Sequence, residues 1–117
     1  MSYFYVFIGG GIGSLLRFWV QKLIPSSINF PVATLTANIV SCFIFGLVVG
    51  IFAKGQLSDT QKLFMTTGLC GGFSTFSAFS AESFVLLEGG NYFFFLLNIV
   101  ASVLLCMVAY YLGSKCF

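Results

Sequence analysis

The sequence predicts an all-α integral membrane protein with four transmembrane helices. Of its 117 residues, 59% are hydrophobic and only 7% are charged, and the mean hydropathy is +1.05. A membrane-spanning helix needs roughly 20 mainly apolar residues, so the chain has room for four such helices and little else. We predict a single domain over residues 1–117 in the lipid bilayer of the cell membrane, as a multi-pass protein. Its spans lie at about 3–23, 31–52, 59–87 and 92–114.

The first span is marked by a cluster of glycines. Gly9, Gly10, Gly11 and Gly13 form a surface of small residues that allows close approach of another helix. The cluster follows no strand and lacks the G-x-G-x-x-G spacing of a dinucleotide loop. Arg17 is the one basic residue well inside this span, and two interpretations stay open for it. Either it extends to the near interface, or it faces protein or an aqueous mouth.

The second span carries a polar stripe. A stretch rich in proline and serine at 25–31 predicts a short loop before it. Thr34, Asn38 and Ser41 then recur at helical spacing, which places them on one face. Within a membrane helix, Asn38 is suited either to a hydrogen bond with a neighbouring helix or to lining a polar path.

The third span is predicted to be broken. Ser58 and Gln61 fit a capping box, so a helix should begin near Asp59. The stretch TGLCGGFSTFSAF, at 67–79, then combines glycines, which weaken a helix by roughly 1 kcal/mol each, with hydroxyl side chains that compete for backbone partners. Irregular backbone at membrane depth is tolerated only where it faces protein, water or an ion. The stretch is therefore a candidate site.

Two aromatic residues follow the predicted break. Phe76 and Phe79 share one helix face, with Ser77 and Ser80 beside them. The edges of aromatic rings carry positive electrostatic potential and hydroxyls donate hydrogen bonds, a combination that suits a small anion. The alternative is that both rings are ordinary apolar filler in a chain with 16 phenylalanines. Glu82 lies near the same face and fits a vestibule position or a structural hydrogen bond at least as well as a transport role.

The fourth span carries a second polar stripe, in which Asn98, Ser102, Cys106 and Tyr110 recur every four residues. The four cysteines of the chain are far apart in sequence and lack metal-ligand spacing. We therefore expect neither a disulfide framework nor a cysteine metal site, and treat the thiols as small apolar groups.

Other function classes are disfavoured by the composition. The few basic residues form no run, so a nucleic-acid partner is not expected. An enzyme is not expected either, because the chain has no histidine, no pair of acids placed for acid–base catalysis and no nucleophile with a candidate base.

Three segments together resemble one known family. GLCGGFSTFSAF resembles the glycine-rich, Thr-Thr-Phe-Ser-Thr-Phe signature of the CrcB/Fluc fluoride channels. GGGIGSLLRFW near the start and PVATLTANIVSCFIFG in the second span match the family in order and spacing. The resemblance implies a fluoride-selective channel that exports cytoplasmic fluoride passively and so lowers its concentration in the cell.

The resemblance also implies an antiparallel, dual-topology dimer, formed with a second copy or a homologous subunit. Charge counting agrees with this expectation. With the amino terminus inside, Lys54, Lys62 and Lys115 lie on the cytoplasmic side, and Lys22 and Arg17 on the other. Because the excess of basic residues sets orientation, such a small bias permits insertion both ways.

Site residues follow from the resemblance together with the residue pattern. Asn38, Phe76 and Phe79 are expected to form the selective part of the fluoride path. Hydroxyls along the route are expected from Ser77, Ser80, Thr34 and Ser102. The family further implies a structural sodium ion at the dimer centre, held by the backbone carbonyls of Gly71 and Ser74. Threonine is usual in the family at the second of these positions.

One position departs from the family pattern. Asn98 stands where the family often has a tyrosine four residues before a serine, and Ser102 matches that serine. Which residues line the outer part of the polar path therefore stays open.

Two alternative functions are each consistent with part of the sequence. A small multidrug-resistance-type dimeric transporter has a similar length and helix number, but that class depends on an acidic residue in its first helix, which this chain lacks. A structural or assembly-type membrane protein accounts for the hydrophobicity and the glycines. It does not account for hydroxyl, amide and phenylalanine groups gathered around a broken helix.

Overall fold

Helices form all the regular structure in residues 2–24 and 31–116, the part of the chain that the computed structural model describes. The three long helices are α1 (Ser2–Leu23), α2 (Val32–Ala53) and α6 (Tyr92–Lys115). Four shorter segments lie between α2 and α6: α3 (Asp59–Leu63), a π-helical segment (Phe64–Cys70), α4 (Gly71–Phe73) and α5 (Phe76–Glu88). Most of the loop predicted at 25–31 lies outside the described residues.

The three long helices are long and apolar enough to cross a membrane. They contain 22, 22 and 24 residues, with mean hydropathies of 1.3, 2.3 and 2.4. Between 11% and 22% of the residues in their most apolar windows are buried within the single chain. The apolar surface therefore points largely outward, as expected for helices solvated by lipid.

The start of α3 is set by a reciprocal cap. The Gln61 backbone N–H donates to Ser58 Oγ at 3.2 Å, and the Ser58 backbone N–H donates to Gln61 Oε1 at 3.0 Å. This pair satisfies two amide groups that the first helical turn leaves free. The predicted capping box and the helix start at Asp59 are confirmed.

Helix α1 lies against the π-helical segment and α4 with almost no space between the backbones. A Cβ atom added at Gly9 would lie 2.7 Å from the Phe64 carbonyl oxygen, and one at Gly13 would overlap the Leu69 carbonyl oxygen. Only glycine permits this approach. The prediction that the first glycine cluster serves close helix packing is confirmed for these two positions.

Helices α2 and α6 form the other closely packed pair. A Cβ at Gly46 would overlap the Tyr110 carbonyl oxygen, and one at Gly50 would lie 2.8 Å from the Ser114 carbonyl oxygen. From the first contact to the second, the residue number increases by four on both helices. The two helices therefore run parallel in a fixed register. This register decides which polar residues of the two stripes meet.

Candidate functional site

The site is built around two extended residues between α4 and α5. Ser74 has φ −88° and ψ 157°, and Thr75 has φ −152° and ψ 130°, so neither continues the helix. Helix α5 begins at Phe76 with Thr75 as its N-cap, because the Ala78 N–H donates to Thr75 Oγ1 at 3.3 Å. The hydroxyl thus replaces a partner that the first turn of a helix lacks.

Asn38 of α2 holds this interruption from the side. The Thr75 backbone N–H donates to Asn38 Oδ1 at 3.0 Å, and Asn38 Nδ2 lies 3.5 Å from the Thr75 carbonyl oxygen as a long donor. One side-chain amide therefore engages both backbone groups of Thr75. Without a partner, each polar group buried at membrane depth would cost several kcal/mol, by the general rule for hydrocarbon surroundings.

A second connection joins α2 to the helix end before the interruption. Ser41 Oγ donates to the Cys70 carbonyl oxygen at 3.1 Å, and Cys70 Sγ donates to the Ser41 carbonyl oxygen at 3.5 Å. Ser74 Oγ donates to the same Cys70 carbonyl at 2.8 Å. The two ends of the interruption are thus both tied to the polar face of α2.

These elements enclose one side of a groove of about 280 Å³. It is lined by Asn38, Cys42, Ser74, Thr75, Phe76, Phe79, Ser102, Val103 and Cys106. The two rings stand with centroids 5.7 Å apart and planes inclined at 44°. Phe76 is 78% exposed on the single chain, while Phe79 is half-buried. The groove is therefore lined by two phenylalanine rings, one amide and hydroxyl side chains within a single concave surface.

A buried polar cluster ties α5 to α6 next to the groove. Asn98 Nδ2 donates to Ser83 Oγ at 2.8 Å, and Ser102 Oγ donates to Asn98 Oδ1 at 3.3 Å. Asn98 is only 1% exposed. Asn98, whose role the sequence left open, therefore has a structural partner on each side, and one of them, Ser102, lines the groove.

The predicted path residues are only partly brought together. Ser77 and Ser80 are exposed and do not line the groove, and Ser77 Oγ shares a 3.0 Å hydrogen bond with Thr75 Oγ1. Thr34 is 2% exposed, and its Oγ1 has no hydrogen-bond partner among the described residues. The groove unites four of the seven predicted path residues: Asn38, Phe76, Phe79 and Ser102.

The two predicted sodium ligands line different grooves. Ser74 lines the groove beside the two rings, whereas Gly71 lines a second groove of about 660 Å³ between α1 and the π-helical segment. That second groove is walled largely by small and apolar residues of α1, among them Gly10 and Gly11.

Two charged side chains are partly buried without a partner. Arg17 Nε and Glu82 Oε1 are inaccessible to solvent in the single chain and have no hydrogen-bond partner in the described part of the structure. A buried Nε is compatible with both interpretations of Arg17, because the outer guanidinium nitrogens of an extended arginine still reach the interface.

Four groove-lining residues were not predicted: Cys42, Thr75, Val103 and Cys106. Thr75 carried a signal, since a hydroxyl residue directly before a helix is a typical N-cap. The positions of Cys42 and Cys106 were also indicated by the sequence, because each lies four residues after a polar groove residue on the same helix face. Cys106 belongs to the polar stripe predicted on the fourth span, but the thiols of both residues were expected to behave as small apolar groups.

Comparison with known proteins assigns the chain to a family. The model of the family described as "CrcB-like protein, Camphor Resistance (CrcB)" matches residues 4–114. The chain belongs to the CrcB family. The family resemblance found in the sequence is thereby confirmed, and with it a multi-pass membrane protein.

Three relatives illustrate the similarity, and each is named "Fluoride-specific ion channel FluC". The protein of Azobacteroides pseudotrichonymphae genomovar. CFP2 is 45% identical over 117 residues, covering 93% of both chains. That of Klebsiella pneumoniae (strain 342) is 44% identical over 118 residues, covering 94% of this chain and 91% of the relative. That of Pyrococcus abyssi is 41% identical over 107 residues, covering 91% and 87%. These relatives are named as ion channels and not as enzymes.

Proposed function

We propose that the chain is a fluoride-selective channel that carries fluoride out of the cell passively. Membership of the CrcB family and relatives named as fluoride-specific channels support this function. The observation that carries it is the groove at the interrupted helix, where two phenylalanine rings, the Asn38 amide and the Ser102 hydroxyl converge. These are groups that interact with an anion without adding a fixed positive charge that would trap it.

Selectivity is proposed to come from fixed donors in a narrow passage. Fluoride is small and strongly hydrated, so removing its water is costly unless the protein supplies replacement donors. The rings of Phe76 and Phe79 and the Asn38 amide line the groove, and the contact of Asn38 with Thr75 fixes this amide while leaving one of its two N–H groups for an anion. Larger halides fit such a passage poorly.

The direction of flow is proposed to follow from the membrane potential. Fluoride enters cells as neutral hydrofluoric acid from acidic surroundings and ionises in the cytoplasm, where it is trapped. A potential that is negative inside drives the anion outward with about 2.3 kcal/mol per 100 mV. Export of fluoride through a channel then needs no coupled energy source.

A dimer of oppositely inserted subunits is proposed to complete the channel. In this arrangement the segments from Asp59 to Glu88 act together as a broken third transmembrane element, giving four elements per subunit in one domain. Four elements cannot alone enclose a pore. The small-residue surface of α1 supports a second copy as partner, since Gly11 is exposed with no atom within 4 Å of an added Cβ and small residues let another membrane helix approach closely.

A structural sodium ion at the dimer centre is proposed on the chemistry of two backbone carbonyls. A continuous helix would give the Thr75 N–H to the Gly71 carbonyl, but that N–H donates to Asn38 Oδ1. It would give the Ala78 N–H to the Ser74 carbonyl, but that N–H donates to Thr75 Oγ1. Both carbonyls therefore lack their helical donors. Backbone oxygens suit a hard cation, so the residues fit sodium, whose charge would raise the local potential for an anion.

The rings can be tested by removing their edges while keeping apolar bulk. Phe76→Ile and Phe79→Ile are each expected to reduce fluoride efflux from liposomes at least about tenfold, equivalent to about 1.4 kcal/mol in the barrier. The matched control is Phe84→Ile, because Phe84 is an exposed residue of α5 outside the groove and its loss should leave efflux unchanged. Normal efflux from a Phe76 or Phe79 variant that still assembles would refute the role of that ring.

Dual insertion can be tested by labelling one loop from both sides. Gln56→Cys, placed in the exposed turn between α2 and α3 in a chain whose native cysteines are replaced, should react with an impermeant maleimide both in intact cells and, further, after permeabilisation. The two steps are expected to have similar amplitudes, because oppositely inserted copies are equally abundant. Reaction from one side only would exclude a dual-topology homodimer.

The sodium proposal can be tested through the cap that frees the Ser74 carbonyl. Thr75→Val removes the Oγ1 acceptor of the Ala78 N–H, so the cap that fixes the start of α5, and with it the Ser74 carbonyl, is lost. Sodium, compared with N-methylglucamine, should raise the thermal unfolding temperature of the wild type and of Thr75→Ser, and this gain should vanish in Thr75→Val. An equal sodium effect on all three proteins would contradict the proposed ligand set.

A further inference from the structure

The register of α2 and α6 brings two cysteines together. Gly46 faces Tyr110 and Gly50 faces Ser114 across the parallel helix pair. One turn before Gly46 on α2 lies Cys42. The residue one turn before Tyr110 on α6 is Cys106. The fixed offset therefore sets the two thiols level with each other, although they are far apart in sequence.

The two thiols also belong to the wall of the same groove. Both residues are half-buried and not engaged in a disulfide. Both line the groove of about 280 Å³ at the interrupted helix, where Asn38 and Ser102 lie one turn away. A pair of free thiols thus forms part of the wall of the proposed fluoride path.

We propose that Cys42 and Cys106 form a binding site for a soft monovalent metal ion, of the Ag⁺ or Cu⁺ class, whose binding closes the groove to fluoride. Thiolate sulfur is the ligand that such ions prefer. The described residues hold no group of three or more His, Cys, Asp or Glu side chains that could bind a metal. Two sulfurs alone match the linear, two-coordinate geometry of these ions and not the four ligands of zinc.

The charge balance of binding explains the closure. One metal ion and two thiols give a bis-thiolate complex and two protons, M⁺ + 2 RSH → [RS–M–SR]⁻ + 2 H⁺. The complex bears a net negative charge, and it replaces two neutral thiols on the wall of an anion path. A fixed charge of the same sign as fluoride, in surroundings of low dielectric constant, raises the electrostatic barrier to entry. The metal ion also fills space within the groove.

The other two cysteines do not supply this site. Cys70 is 2% exposed and its thiol donates to the Ser41 carbonyl oxygen. Cys116 is exposed directly after the end of α6, outside the groove. Cys116→Ala is therefore a matched control, since it removes one thiol and leaves the pair intact.

The closing of the groove rests on the proposed function, while metal binding does not, so both are measured. Pre-reduced wild-type protein and the variants Cys42→Ala, Cys106→Ala and Cys116→Ala are titrated with silver nitrate in chloride-free buffer, and silver–thiolate absorbance and proton release are recorded. Fluoride efflux from liposomes is measured with each protein at the same silver concentrations.

We expect wild type and Cys116→Ala to bind one Ag⁺ at the pair, with release of two protons, and to lose fluoride efflux. For Cys42→Ala and Cys106→Ala, efflux with silver is compared with the efflux of the same variant before silver is added. Each should bind silver roughly 100-fold more weakly at the remaining thiol, as expected when one of two linked ligands is lost, and should keep its efflux at concentrations that block the wild type.

Wild-type affinity in Cys42→Ala or Cys106→Ala would overturn the paired site. Unchanged efflux from wild type with Ag⁺ bound at the pair would overturn the closing of the groove. Absence of efflux from untreated wild-type protein would instead refute the proposed function, and the binding titration would still decide whether the thiol pair holds the metal.

Discussion

The contact between the Asn38 side chain and the Thr75 backbone is the constraint on which the site depends. Two residues leave the helical conformation inside an apolar segment, and their amide and carbonyl groups need partners that lipid cannot provide. Asn38 supplies both from α2. Because the Thr75 N–H is held by Asn38, the helix cannot close over the gap, and the Thr75 hydroxyl is free to start α5 at Phe76.

The position of the two phenylalanine rings follows from the start of α5 at Phe76. Phe76 is the first residue of α5, so its ring projects beside the gap, and Phe79 follows less than one turn later. The close packing of α2 on α6 through Gly46 brings Ser102 to the same groove. Three polar side chains that are costly in a membrane, Asn38, Asn98 and Ser102, thus engage other polar groups at or beside a common groove, as Asn98 does with Ser83.

Features set by neighbouring residues were predictable from the sequence. The capping box at Ser58 and the glycine packing surface of α1 depend on spacing within a few residues, and both are confirmed. The role of Asn98 could not be predicted in this way, because its hydrogen-bond partner Ser83 lies on another helix. The exposure of Ser77 and Ser80 depends on how α5 is rotated after the gap, which no local pattern determines. The proximity of Cys42 and Cys106 depends on the register of two helices that are far apart in sequence.

The most direct test of the role of Asn38 is fluoride efflux from liposomes with Asn38→Asp protein. Aspartate keeps an acceptor for the Thr75 N–H but loses both N–H donors and adds a charge of the same sign as fluoride. The account predicts an assembled protein whose efflux is abolished. The control Asn91→Asp makes the same chemical change at an exposed residue before α6 and should conduct normally. Wild-type efflux from Asn38→Asp would contradict the account.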